Sequence, residues 1–499
     1  MIDVQNVSTT SHRVPLLLAV ATVAAGILVR VVEAGKSVWL DELHTMQLVR
    51  QPGVGDLIAL IRHDVHAPLF YLALMPWGGA AVASLRWIPL LTGLLAIPIL
   101  MDLLRQWGFG RAAVMGLAGT LLLAPFQIRY GVELRPYAWL QVFAVIALWA
   151  GLGRRGSERF RMAVFAAAVT CGLYVHYLMA VPVVALGAAR LLSRPKGVLP
   201  LQRLMLAGVI GVLLFLPWIF TSESWLLHDP SRFFRDEHAA ASAPVEPEPA
   251  TPSVLPQLAQ ALPRILTPSL RGLGAVGFGL VVAGWAAMIV FLVRAGRDVL
   301  GGRRLPGGRG LLAILSTGFL GFVLTVVASV EVWKRLPIQY FATVAWGWAV
   351  LVAVLIEGSP ERRRRTTMLI LLAALGLMAA GQAAGRPRED LRGAVDLARE
   401  WGAGRDLHYT ALMRQPGHYD PIEVWKVLAP DVRAVSPEEI PPGDGRGIVV
   451  VARKVDPRTA GVSKAVLDRI TEGRVLARAR RLDDAVQVFL YLPEGDDAR

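Results

Sequence analysis

An apolar run from 14 to 32 opens the chain, and comparable runs recur at 85–104, 112–128, 137–152, 162–175, 178–192, 204–220, 273–293, 311–330, 340–356 and 368–384. A helix needs ~20 such residues to cross the hydrocarbon core of a bilayer. About eleven crossings are therefore expected. The balance of the chain agrees: 54% of its 499 residues are hydrophobic and 18% charged, with a mean hydropathy of +0.49, beyond what a soluble fold carries. The expected fold is mainly α, a polytopic bundle of transmembrane helices.

The formal net charge of +14 does not point to nucleic acid. Its arginines and lysines fall in the short connections 105–111, 154–161, 194–203, 294–309 and 361–365 rather than on one continuous basic face. These connections occupy every second turn between runs, so the positive-inside rule assigns them to the cytoplasm, beside anionic lipid headgroups. The alternation holds only if the apolar segment 68–78 does not cross. Its shortness, Pro68, Tyr71 and Trp77 suit an interfacial helix on the outer face. The first run is longer than the ~7–15 apolar residues of a signal peptide and lacks a small-residue cleavage site, so it reads as an uncleaved span.

This topology places 33–84, 129–136, the turn near His176, 222–271, 331–339 and everything after 385 outside the cytoplasmic membrane. The chain divides into a transmembrane unit, 1–385, with an outer juxtamembrane loop at 33–84, and an extracytoplasmic unit, 386–499. Residues 239–256, rich in Ala, Pro and Glu, read as a mobile loop. After 386 the composition turns polar, with amphipathic patterns at 394–401 and 463–470 and strand-like runs at 448–451 and 486–490. A small α/β domain is expected there. It lacks a glycine-rich strand-to-helix turn, which argues against a dinucleotide site.

Chemistry should sit where charged groups meet the membrane edge, because such groups are costly there unless paired or functional. Asp41 and Glu42 follow the first span, with His44 close by. A second segment carries His63, Asp64, His66 and Tyr71, and a third carries Arg129, Glu133, Arg135 and Tyr137. The single cysteine, Cys171, excludes disulfides and cysteine-based metal sites within one chain. His44, Asp64 and His66 are candidate ligands for a divalent metal ion, although their spacing matches no metal signature. Tyr174, His176 and Tyr177 read first as an aromatic interface belt, with substrate contact as the second reading.

Four elements in this order, Asp41-Glu42, His66-Ala67-Pro68-Leu69-Phe70-Tyr71, Arg86-Trp87-Ile88-Pro89 and Glu133-Leu134-Arg135-Pro136-Tyr137, resemble the C-type (GT-C) membrane glycosyltransferases. The resemblance is to the branch containing protein O-mannosyltransferases and the aminoarabinose transferases of lipid A. It is clear over the first third of the chain and architectural beyond. Two departures stand out. Ala67 replaces the first proline of the family's His-Pro-Pro element, and Gln339-Tyr340, preceded by Lys334 and Arg335, stands where members often carry Arg-Tyr.

The resemblance implies transfer of a sugar from a polyprenyl-phosphate donor to a protein, lipid or glycan acceptor on the outer face of the cytoplasmic membrane. Such a donor already has a good leaving group, so transfer needs a base for the acceptor hydroxyl and cations for the phosphate. Glycoside hydrolysis would instead require two opposed carboxylates. Adjacent residues on a helix diverge by about 100°, so Asp41 and Glu42 are not such a pair. Asp41 is the expected base, with Glu42 a lesser partner orienting Arg135 or a metal. His66, Arg135, Lys334 and Arg335 are candidates for the donor phosphate, and Glu133, Tyr71, Tyr137 and Tyr340 for supporting roles. The alternative is a transporter or lipid flippase, which would place its polar groups nearer the bilayer midplane.

Overall fold

A computed structural model describes residues 10–64, 66–223, 308–333, 338–358, 366, 369–370, 374, 377, 381, 390–413, 423–453, 461–482 and 486–494. The described chain is mainly helical with one small sheet. The expected span at 273–293, most of that at 368–384, the loop 239–256, and Lys334 and Arg335 lie outside the described residues.

The first expected span lies within α1 (Thr10–Ala34). Three described segments, Val82–Gln106, Leu201–Thr221 and Gly308–Val327, are long and apolar enough to cross a bilayer. Within the first of these, α5 (Val82–Leu85), α6 (Trp87–Leu94) and α7 (Ala96–Gln106) follow one another with breaks at Arg86 and Leu95. Pro89 and Pro98, near the starts of α6 and α7, lack the N–H that a continuous helical ladder would use.

The run expected as one span at 112–128 is broken. Helices α8 (Arg111–Leu123) and α9 (Pro125–Val132) meet at Ala124 with a bend of 58°. Pro125 cannot donate to the Leu121 carbonyl four residues back, which frees polar groups that hydrocarbon cannot satisfy. Arg30 of α1 supplies donors there, bonding the carbonyls of Leu122 and, at 3.0 Å, Leu121, while also bonding Gly26 of its own helix at 3.0 Å. A Cβ on Gly26 would stand 3.0 Å from Leu122 Cβ, so glycine lets the two helices approach closely here. This buried arginine therefore has a structural task.

Helices α2 (Leu40–Val49), α3 (Val54–Ile61) and α4 (Leu69–Leu74) form the loop region after α1. The helical stretch of α4 and the 3-10 turn Met75–Trp77 rises roughly 14 Å, too little to cross a bilayer. Phe70, Tyr71 and Leu74 are fully buried, against α2 and the helix at Glu158–Val175, whereas Trp77 is exposed. The remaining helices are α10 (Tyr137–Leu152), α11 (Glu158–Val175), α12 (Ala180–Ser193), α13 (Leu201–Thr221), α14 (Gly308–Trp333) and α15 (Trp346–Gly358). Helix α14 runs along α12, and α15 along α8. On α13, Met205, Leu206, Val209, Leu213 and Phe220 are exposed, an apolar surface suited to lipid.

The C-terminal region contributes α16 (Leu391–Gly402), α17 (Glu423–Leu428), α18 (Gly461–Ile470) and strands β1 (Leu407–Met413), β2 (Gly447–Arg453), β3 (Arg474–Arg481) and β4 (Val486–Pro493). The sheet order is β1-β2-β4-β3, with β1 parallel to β2 and β4 antiparallel to both its neighbours. Alternating residues of the central strands face opposite sides. Val449, Val451, Val488 and Leu490 share one core with Ala394, Val395 and Trp425, while Ile448, Val450 and Phe489 pack with Leu467 and Ile470. Burial on both faces explains the unbroken apolar run of β2. At the edge, β3 exposes Arg478, Arg480 and Arg481, charges that discourage further strand pairing.

This unit sits on the loop after α1. The Arg392 N–H donates to Ser37 Oγ at 3.2 Å, and α17 packs against α2.

Candidate active site

Glu42 and Arg86 form the rigid floor of the site. Both are fully buried, and Glu42 accepts from Arg86 Nε at 2.8 Å and Nη2 at 2.5 Å. The other guanidinium hydrogens reach the carbonyls of Ala34 at 2.9 Å, Lys36 at 2.5 Å and Ser37 at 3.0 Å. Glu42 also accepts the backbone N–H of Leu134 at 2.9 Å and of Trp39 at 3.4 Å. The end of α1, the start of α2, the break before α6 and the turn after α9 are thereby tied at one point. Glu42 engages Arg86, which supplies the partner that a fully buried carboxylate requires. Its bond to Leu134 fixes the backbone one residue before Arg135.

Asp41 lies in the first turn of α2, where Trp39 is the cap residue, and is half-buried. Its backbone carbonyl accepts from Thr45 Oγ1 at 3.2 Å and from Arg135 Nη1 at 3.3 Å. Thr45 Oγ1 also lies 3.0 Å from the Leu134 carbonyl. Arg135, 94 positions along the chain, is thus brought beside Asp41. Its Nη1 is 3.4 Å from the Tyr71 hydroxyl and its Nη2 donates to His66 Nε2 at 3.1 Å.

Since a guanidinium only donates, His66 Nε2 accepts and the ring proton sits on Nδ1, 3.0 Å from Asp64 Oδ1. His44 Nε2 lies 2.6 Å from the other oxygen, Asp64 Oδ2. Burial, seconded by the Arg135 charge, lowers the His66 pKa below its ordinary 6.5. Although burial alone would raise it, Asp64 is held well below the usual carboxylate range by His44 and His66. A relay from ionised Asp64 through neutral His66 therefore aims Arg135. Both ring nitrogens of His66 are engaged in this arrangement, which holds the ring beside Arg135.

The sign of the pH dependence follows. Any stability that neutral His66 confers is complete above 6.5 and lost as pH falls through its lower folded value. Histidine-selective 15N NMR, assigned with His66→Gln, should show the ring neutral and Nδ1-protonated with a midpoint below 6.5. A midpoint above that value would contradict the relay.

Aromatic residues enclose the far side. The His66 ring lies 5.2 Å from that of His176, which is 6.1 Å from Tyr137 and 6.0 Å from Tyr340. The charges of Asp41 and Arg135 act on Tyr71, Tyr137 and Tyr340 alike, and that of Glu133, also fully buried, on Tyr137. Asp41, His66, Tyr71, Glu133, Arg135, Tyr137 and Tyr340 thus converge from segments far apart in sequence.

His44, Asp64 and His66 also meet, but as hydrogen-bond partners. Both Asp64 oxygens and both His66 nitrogens are taken within the relay, and the Arg135 cation adjoins it, so these residues do not fit a metal ion. Among the described residues, no group of three or more His, Cys, Asp or Glu is arranged to hold one. Sequence reasoning singled out Arg86 within the Arg86-Trp87-Ile88-Pro89 element but missed its pairing with Glu42. It also ranked His176 first as an interface-belt residue and only second as a substrate contact, whereas the residue is buried among the site's rings.

No family model and no curated protein matches the chain. Among solved structures it is similar to ArnT from Cupriavidus metallidurans in the apo state, with a TM-score of 0.57 and 15% identity over 94% of this chain and 97% of that one. The same protein bound to undecaprenyl phosphate gives a TM-score of 0.46 and 16% identity over 94% and 97%. The arabinofuranosyltransferase AftD from mycobacteria gives 0.43 and 14% over 96% of this chain and 40% of that one. The first of these likenesses shows a shared fold across nearly the whole chain. The resemblance to the C-type membrane glycosyltransferases therefore holds at the level of fold.

Proposed function

We propose that the protein is an integral membrane glycosyltransferase that moves a sugar from a polyprenyl-phosphate-linked donor to an acceptor on the outer face of the cytoplasmic membrane. The observation that carries this reading is Arg135, aimed by His66 and Asp64 and brought beside Asp41 in a fold shared with ArnT. One carboxylate and one directed guanidinium match what a donor with a good leaving group requires.

Asp41 accepts the proton of the acceptor hydroxyl as its oxygen attacks the anomeric carbon with inversion. The bond from that carbon to the phosphate oxygen breaks, and its electrons leave on the phosphate. Arg135, whose planar fork suits phosphate oxygens, stabilises the charge that develops there. Lys334 and Arg335 are proposed as further phosphate contacts. Tyr71, Tyr137 and Tyr340 are proposed to flank the donor beside Arg135, and Glu133 to support the turn that presents it. The bond from Arg392 to Ser37 supports placing the C-terminal unit on the same side as the Asp41 loop.

Mass spectrometry of lipid retained by the purified protein tests the donor class. A polyprenyl phosphate, with or without its sugar, is the expected species. Retention of glycerophospholipids alone would overturn the donor assignment and favour a transporter.

A further inference from the structure

His176 ends α11 and is 3% exposed. Its Nδ1 accepts the Leu178 N–H at 3.2 Å, which leaves the proton of the neutral ring on Nε2. Burial, with the nearby His66 and Arg135, disfavours a second proton. The Nε2–H has no hydrogen-bond partner among the described residues. A buried donor left unmet is costly, and native proteins rarely retain one without a use. The ring stands among those of His66, Tyr137 and Tyr340, the residues that also surround Arg135.

We infer that His176 is a further binding residue whose Nε2–H donates to an oxygen of the donor phosphate, beside Arg135. This rests on the polyprenyl-phosphate reading. A neutral donor next to a fixed cation favours an anionic oxygen: Arg135 attracts the charge, and His176 adds a directed bond without adding repulsion between cations. The same bond strengthens as negative charge grows on the phosphate during transfer.

Binding of undecaprenyl phosphate to the purified full-length protein tests the inference. His176→Phe keeps the ring and deletes the donor, and should weaken binding roughly tenfold or more, as expected for a lost hydrogen bond to a charged group. His176→Gln, which can place an N–H near the Nε2 position, should stay within roughly threefold of wild type. Both variants lose the bond that Nδ1 accepts from the Leu178 N–H, so their ligand-free melting temperatures should fall alike; a merely structural histidine would weaken binding equally in both. Wild-type protein that does not bind the probe would overturn the donor reading and this inference with it. Wild-type binding with equal affinity in His176→Phe would overturn the inference alone.

Discussion

Replacing Asp41 by asparagine should lower sugar transfer by about 10²–10⁴-fold, the contribution of a positioned general base. The side chain keeps its size but loses its negative charge and with it its capacity to take a proton. The bonds from Thr45 and Arg135 go to the Asp41 backbone carbonyl, so the substitution leaves them in place. Membrane insertion and donor-lipid binding should accordingly remain close to wild type. Asp41→Glu retains a carboxylate but displaces it along the longer side chain, and should also lose most of the rate, since misplacement of about 1 Å costs roughly 10²-fold. Turnover by purified protein, measured beside donor-lipid affinity, separates the two effects. Near-normal turnover in Asp41→Asn would remove it as the base.

The largest effect on folding is expected at the pair of Glu42 and Arg86. Leaving one buried charge without its partner costs about 3–5 kcal/mol. Glu42→Gln and Arg86→Met should each cause a steep loss of folded protein. Arg86→Met also removes donors from the carbonyls of Ala34, Lys36 and Ser37, so it should be the more severe. Arg86→Lys keeps the charge without the planar fork and should fall between wild type and Arg86→Met. The double variant Glu42→Leu with Arg86→Met should recover part of the loss, because no isolated charge remains. Melting curves in detergent would show the order. Single variants as stable as wild type would mean that the pair does not hold this region together.

How much was legible in the sequence depended on the range of the interaction. The helical runs and the carboxylate beside the first span are local signals, and β2 and β4 appear where apolar strand-like runs stand in a polar region. Strand β3, arginine-rich at the sheet edge, has no such pattern. The break at Pro125 was hidden because its compensating donor, Arg30, sits 91 residues away from Leu121. Glu42 and Asp41 are neighbours in sequence, but only folding separates their tasks, burying one against Arg86, 44 residues distant, and leaving the other half-exposed. His66 was legible as part of the site but not as the group that aims Arg135, since that depends on which ring nitrogen accepts. His176 followed tyrosine-rich sequence that suited a membrane interface equally well.

The most direct measurement follows a polyprenyl-phosphate sugar labelled in the sugar, incubated with the purified protein and extracted cell-envelope acceptors. The expected result is label appearing in an acceptor with inverted anomeric configuration, in step with release of polyprenyl phosphate, and lost in Asp41→Asn. Intact labelled lipid moved across a vesicle membrane without cleavage, or equal transfer by wild type and Asp41→Asn, would contradict it.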